Sequence, residues 1–177
     1  VAGGSPAPAL DHALRAYTLL RSAGHPWQYR LLNTVGWCYA LLGDYEQTLV
    51  YCQQAISVLR HWPELSGQAH TWDSLGYAHH HLGHQAEAIA CFERAIDLVR
   101  RIGDRFNEVT MLTHLGDAHH AAGDTAAADA WRKAVVLLDE LDHPNGEQVR
   151  HRLAGLTIPM PTADPAAPTS GHACATP

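Results

Sequence analysis

The thirteen residues from Trp72 to His84, WDSLGYAHHHLGH, hold four histidines, and a further pair, His119 and His120, follows forty residues after His79 and His80. Imidazole is a common metal ligand and titrates near neutral pH, so two kinds of chemistry are in question, metal binding and proton sensing. Both depend on which way the side chains face. If the segment is helical, successive residues turn by about 100°, so His79, His80 and His81 fan across about 200° and cannot share one ion. The arrangement that would hold zinc or nickel is instead His80 with His120, on neighbouring helices about 8–10 Å apart, joined by Asp73 or Asp117. No residue is evidently placed to orient such ligands, so neither a metal nor any other cofactor is assigned. A metal- or pH-sensing module stays open as an alternative, as does a purely structural spacer.

Other chemistry is thinly supported. There is no GxGxxG, no GxxxxGK[ST] phosphate loop, no GxSxG and no HExxH. Carboxylates such as Glu46, Glu87 and Asp104 fall on solvent-facing positions, no nucleophile stands beside a base, and no catalytic residue is assigned. The expectation is a protein that is not an enzyme. Formal net charge is -6, and its twelve cationic residues, eleven arginines and Lys133, are scattered, so no basic stripe points to nucleic acid. Cys38, Cys52, Cys91 and Cys174 form no CxxC pair and read as small apolar residues in a reducing, cytoplasmic setting. No apolar run approaches the roughly 20 residues that cross a bilayer, and no secretion signal is seen. A chain beginning at Val1 suggests a fragment of something longer.

The elements that must position the histidines emerge from a repeat. QYRLLNTVGWCYALLGDYEQTLVYCQQAISVL from Gln28, QAHTWDSLGYAHHHLGHQAEAIACFERAIDLV from Gln68 and EVTMLTHLGDAHHAAGDTAAADAWRKAVVLLD from Glu108 align at a spacing of forty. Gly36, Gly76 and Gly116 fall in register, as do Gly43, Gly83 and Gly123. Ala55 and Ala95 also match, but their counterpart Ala134 comes one residue early, which predicts a lost residue near the turn after Gly123. Each unit reads as two amphipathic helices. Gly76 costs about 1 kcal/mol in mid-helix against alanine, and its recurrence implies that the missing side chain lets a partner helix approach.

These units resemble the tetratricopeptide repeat, whose aromatic, Leu-Gly, aromatic, Ala, Phe and Ala positions are filled in the middle unit by Trp72, Leu75, Gly76, Ala88, Phe92 and Ala95. His79 and His119 replace the second aromatic, which Tyr39 keeps; Thr48 and Cys52 depart likewise in the first unit. The resemblance implies an all-α, right-handed superhelix of antiparallel helix pairs, with repeats at 28–67, 68–107 and 108–147. Residues 9–24 read as the orphan second helix of a truncated repeat, 148–156 as a capping helix, and 1–8 and 157–177 as disordered ends. In this geometry His79 is a hydrogen-bonded core residue and His84 a solvated loop residue. The concave groove takes Arg30, Asn33 and Trp37 from the first repeat, with Ala40 and Leu41 beside them. It takes His70, Asp73, Tyr77, His80 and His81 from the second. From the third come Thr110, Thr113, Asp117, His120 and Ala121. Such a polar, aromatic wall suits a protein or peptide ligand, and the residues expected to contact it are Arg30, Asn33, Trp37, His70, Asp73, Tyr77, His80, Thr113, Asp117 and His120.

Particular phrases, WDSLGYAHHH and LDHP among them, are similar to the C-terminal repeats of actinobacterial SARP-type transcription regulators, over about His12 to Leu156. Those proteins join a winged-helix and bacterial transcriptional activation domain to an NB-ARC nucleotide switch and a tetratricopeptide array. The resemblance implies a regulatory role exercised through contact with a protein or with another domain of the same regulator, with ATP and DNA handled by modules outside this chain.

Overall fold

The computed structural model describes residues 6–142 and 146–157. Among them are eight helices and no strand: α1 (Pro6–Ser22), α2 (Gln28–Leu41), α3 (Tyr45–His61), α4 (Leu65–His81), α5 (Gln85–Ile102), α6 (Arg105–Ala121), α7 (Ala126–Glu140) and α8 (Gly146–Thr157). They form an α-solenoid of helix pairs, α2 with α3, α4 with α5 and α6 with α7, flanked by α1 and α8. No described helix is long and apolar enough to cross a membrane.

The pairing is set by the turns. Gly43, Gly83 and Gly123 have φ of 81°, 80° and 71°, a left-handed backbone that glycine adopts without a Cβ penalty. Each turn carries the same two bonds. Asp44 N–H reaches Tyr39 O, His84 reaches His79 O, and Asp124 reaches His119 O, while each glycine N–H reaches back three residues. This is the Schellman closure, and it satisfies carbonyls that a helix end leaves bare. The next helix starts at once, Asp44 capping α3 by accepting from Gln47 N–H at 3.1 Å.

The mid-helix glycines serve packing. A Cβ on Gly36 would stand 2.6 Å from Cys52 Sγ, one on Gly76 2.6 Å from the Phe92 ring, and one on Gly116 2.3 Å from the Trp131 ring. Each glycine thus seats a residue of its own second helix, Cys52, Phe92 or Trp131. The register slip in the third unit is visible here too. Thr48 and Ala88 open their helices with N–H to the carbonyl four residues back, whereas Ala127 N–H goes to Asp124 O, three back. A tightened first turn of α7 absorbs the missing residue.

The core runs through Leu32, Leu59, Leu98, Val99, Met111 and Trp131, all nearly inaccessible. Cys38, Cys52 and Cys91 are buried free thiols; burial pushes Cys52 up to about 12 and Cys91 to about 11, so neither is a reactive thiolate. Cys174 lies outside the described residues. The ends differ from expectation. Helix α1 begins at Pro6, not Ala9, because proline's fixed φ suits the first helical position. Helix α8 extends over Gly146–Thr157, so Thr157 is helical instead of belonging to the tail. Residues 1–5 and 158–177, expected to be disordered, lie outside the described residues.

One asymmetry matters for function. The first helices of the repeats, α2, α4 and α6, stand side by side, but α2 follows α4 closely while α4 meets α6 at few positions.

Candidate partner-binding groove

The gap between α4 and α6 is a cavity of about 440 Å³, with a third wall from α8. Tyr77, His80 and His81 line it from α4, Thr110, Thr113, His114 and Asp117 from α6, and Gln148, Val149 and Arg152 from α8, over apolar Phe92, Phe106, Val109, Leu138 and Leu141. A second hollow of about 450 Å³, between α2 and α4, is lined by Trp27, Tyr29, Arg30, Asn33, Thr34, Glu64, Ser66, Gly67 and His70.

The residues expected to contact a partner therefore divide. Tyr77, His80, Thr113 and Asp117 share the cavity between α4 and α6, and Arg30, Asn33 and His70 share the hollow between α2 and α4. Trp37 joins the first group through its ring, edge-on to Tyr77 at 5.1 Å. Asp73 reaches the cavity through His114, whose Nδ1–H donates to Asp73 Oδ1 at 2.9 Å. His120 lies outside both hollows, exposed, with its ring 5.6 Å from Trp131. Trp37 and Tyr77 are half-buried, available on one side.

Local bonds fix several of these side chains. Arg30 lies over the Trp27 ring at 5.6 Å, a cation–π contact. Asn33 Oδ1 accepts from Cys52 Sγ at 3.6 Å, and His70 Nδ1–H donates to Ser66 O at 2.8 Å. His80 Nδ1–H donates to Gln85 Oε1 at 2.9 Å while Gln85 Nε2 donates to His80 O at 3.1 Å. His80 lines the cavity between α4 and α6 while His120 stands outside it, so the two are not brought to one site. Among the described residues no three His, Cys, Asp or Glu side chains converge as a metal site requires.

His79 also departs from expectation. It is half-buried at the end of α4, with Nδ1 3.5 Å from Nδ1 of His84, which is exposed as expected. The tight turn folds residue i+5 over residue i. Burial first, and His84 second, hold the His79 imidazole below its ordinary pKa. The same offset in the third repeat places Asp124 Oδ2 2.8 Å from His119 Nδ1.

Two groups that pattern reading missed are central. His114 carries a side chain only 20% exposed, and its ring stands 5.6 Å from Tyr77 and 5.5 Å from Phe92. Burial opposes its charged form, but Asp73, by charge and hydrogen bond, and then Asp117 outweigh that and raise its pKa. Arg152 Nε donates to Asp117 Oδ1 at 2.9 Å, and Trp131 Nε1–H donates to the same oxygen at 3.2 Å. His81, by contrast, is held low by burial, then by His80 and His114. The one available signal for His114 was a histidine where the other repeats have Thr34 and Ser74.

Comparison with known proteins agrees with this architecture. A family model described as the tetratricopeptide repeat matches residues 67–135, and the chain carries a tetratricopeptide-repeat region. Among solved structures, the chain is similar to a Signal Transduction ATPase with Numerous Domains (STAND) protein with a tetratricopeptide repeat sensor from Pyrococcus horikoshii. That match has 18% identity and a TM-score of 0.75, and covers 86% of this chain but 24% of the other. The chain thus spans about a quarter of that protein's length. It is also similar to a Podosopora anserina putative kinesin light chain with nearly identical TPR-like repeats, at 15% identity and a TM-score of 0.70, covering 86% and 77% of the two chains. A tpr-like protein from Chlorobium tepidum matches at 18% identity and a TM-score of 0.60, over 72% of this chain and 93% of that one. No match is found among curated proteins.

Proposed function

We propose that the chain is a protein-recognition region that holds a protein or peptide segment in its concave groove. The observation that carries this reading is the open seam between α4 and α6. There a solenoid leaves a cavity of about 440 Å³ walled by half-buried Tyr77, Thr113, His114 and Asp117 where close helix packing was possible. Tetratricopeptide repeats are in general protein-interaction modules, and stacking, hydrogen-bonding walls of this kind suit a peptide backbone with an apolar side chain between its polar groups.

The wider setting we infer is the regulatory C-terminal part of a SARP-type transcription regulator acting in the cytoplasm. Two things support it, the WDSLGYAHHH and LDHP phrases and the likeness to a STAND protein described as carrying a tetratricopeptide repeat sensor. Nucleotide switching and DNA contact then belong to other modules. The groove's task is to sense a partner or to dock on another domain of the regulator.

Thr110 is exposed on α6 and faces the cavity. Thr110→Trp therefore fills the space without removing a packed side chain. In a reporter strain carrying the parent gene, T110W should abolish the regulated response and the crosslinks formed at the groove, while the purified chain melts within a few degrees of wild type. Unchanged regulation with a filled cavity would leave a structural spacer as the better account.

A further inference from the structure

Asp117 is the meeting point of three helices. Its Oδ1 accepts from Trp131 of α7 and from Arg152 of α8, and its charge also acts on His114, one turn earlier on α6. Around the His114 ring stand Asp73, Tyr77 and His81 from α4, the Phe92 ring from α5, Asp117 from α6 and Arg152 from α8. Nδ1 is taken by Asp73. With the ring protonated, the four charges of Asp73, His114, Asp117 and Arg152 sum to zero.

Helix α8 holds on lightly. Val149 is buried and Leu153 half-buried, while Glu147, Gln148, Arg150, His151 and Arg152 are exposed. Two ion pairs fasten it, Arg150 to Asp139 and Arg152 to Asp117. Twelve residues including Gly146 and Gly155 make a marginal helix by themselves, so α8 owes its order to docking. The docked helix closes one side of the cavity through Gln148, Val149 and Arg152.

Arg152, paired with Asp117, and a protonated His114, bonded to Asp73, carry like charges within one cluster and repel one another. Coupling of this kind is reciprocal: what Arg152 costs the proton on His114, that proton costs the docking of Arg152. The Asp73 bond points the other way, because a charged imidazole grips Asp73 more firmly. We propose that α8 is a strap seated across the third-repeat end of the groove, fastened by Arg152 to Asp117, and that a proton on His114 loosens it while Asp73 keeps α6 tied to α4. Acidification then opens the cavity wall at α8 without parting the repeats. The strap's purpose rests on the groove reading; its motion does not.

The test is amide hydrogen exchange of this chain at about pH 6 and about pH 8, corrected for the intrinsic pH dependence of exchange, with His114 followed by NMR. In the wild type the opening equilibrium of α8 should rise about fivefold on acidification, the low end of such couplings, while α4 and α5 stay unchanged. His114→Gln should remove that response. Arg152→Gln should open α8 at both pH values and raise the titration midpoint of His114; Arg152→Lys should restore part of the hold and lower the midpoint again. An α8 whose opening ignores pH, or a pH response that persists in H114Q, overturns the strap. Neither result touches the groove reading, which T110W tests separately.

Discussion

The two seams between first helices are built from equivalent positions and come out opposite. Along α2 and α4, Tyr29 is buried, its ring lies where a Cβ on Gly67 would be 2.4 Å away, and its hydroxyl donates to Glu64 Oε2 at 3.1 Å. Trp37 then meets Tyr77 edge-on. Along α4 and α6 the matching residues are Ala69 with Val109, Asn107 in place of Gly67, and Asp117 in place of Tyr77. No Trp–Tyr pair closes the gap; Asp73 and Tyr77 meet the His114 ring beside a cavity. Aromatic rings and a glycine close a seam by contact; acidic and hydroxyl side chains hold one at a distance, because they keep their stability by staying solvated or paired. One repeat architecture thus yields a closely run seam between α2 and α4, with a hollow at its Arg30 end, and a more widely spaced seam between α4 and α6.

The largest expected effect comes from forcing the closed seam apart. Gly67→Ala places a methyl against the rigid Tyr29 ring and should destabilise the chain by about 2 kcal/mol in urea unfolding, outweighing the helix-propensity gain. Gly155 has nothing within 4 Å of a would-be Cβ, so Gly155→Ala is the control that should not destabilise. A next measurement is a double-mutant cycle on Trp37→Leu and Tyr77→Leu, where a coupling of about 1 kcal/mol would mark the ring contact as the staple. Coupling near zero would remove the contrast between the seams.

The open seam should answer to pH. His114 has a raised folded-state pKa, so its stabilisation is fully present below the unfolded value of about 6.5 and is lost as pH rises through the folded value. Asp73→Asn should cost about 1 kcal/mol near pH 6 and progressively less at higher pH, read from denaturation midpoints across that range. A constant cost would mean that the pair is a neutral hydrogen bond at all pH values. Smallest is the end of α4. His79 has a depressed pKa, so its contribution is present above about 6.5 and weakens as pH falls. His79→Gln should slightly flatten the acid limb of the melting profile.

Much of the fold is legible in the residues alone. Glycines at forty-residue intervals mark the turns and the close approaches, and the early Ala134 points to the tightened turn before Ala127. The groove is legible only as a face. Repeat alignment places Arg30, Tyr77 and Asp117 on one side of their helices, yet it says nothing of Asp73 finding His114, forty-one positions away, since Thr34 and Ser74 occupy the equivalent sites. Arg152 lies outside the repeats altogether. Nor does the repeat pattern show that His80 lines the cavity while His120 stands outside it.

The amino-acid order by itself determined how many helices form, where they turn and which faces are apolar, since those follow from backbone freedom and periodicity within a few residues. Tertiary structure alone decided how wide each seam stands and which polar groups meet across it. Those outcomes depend on side chains brought together from separate helices, where a ring closes the space and a charge waits for its partner.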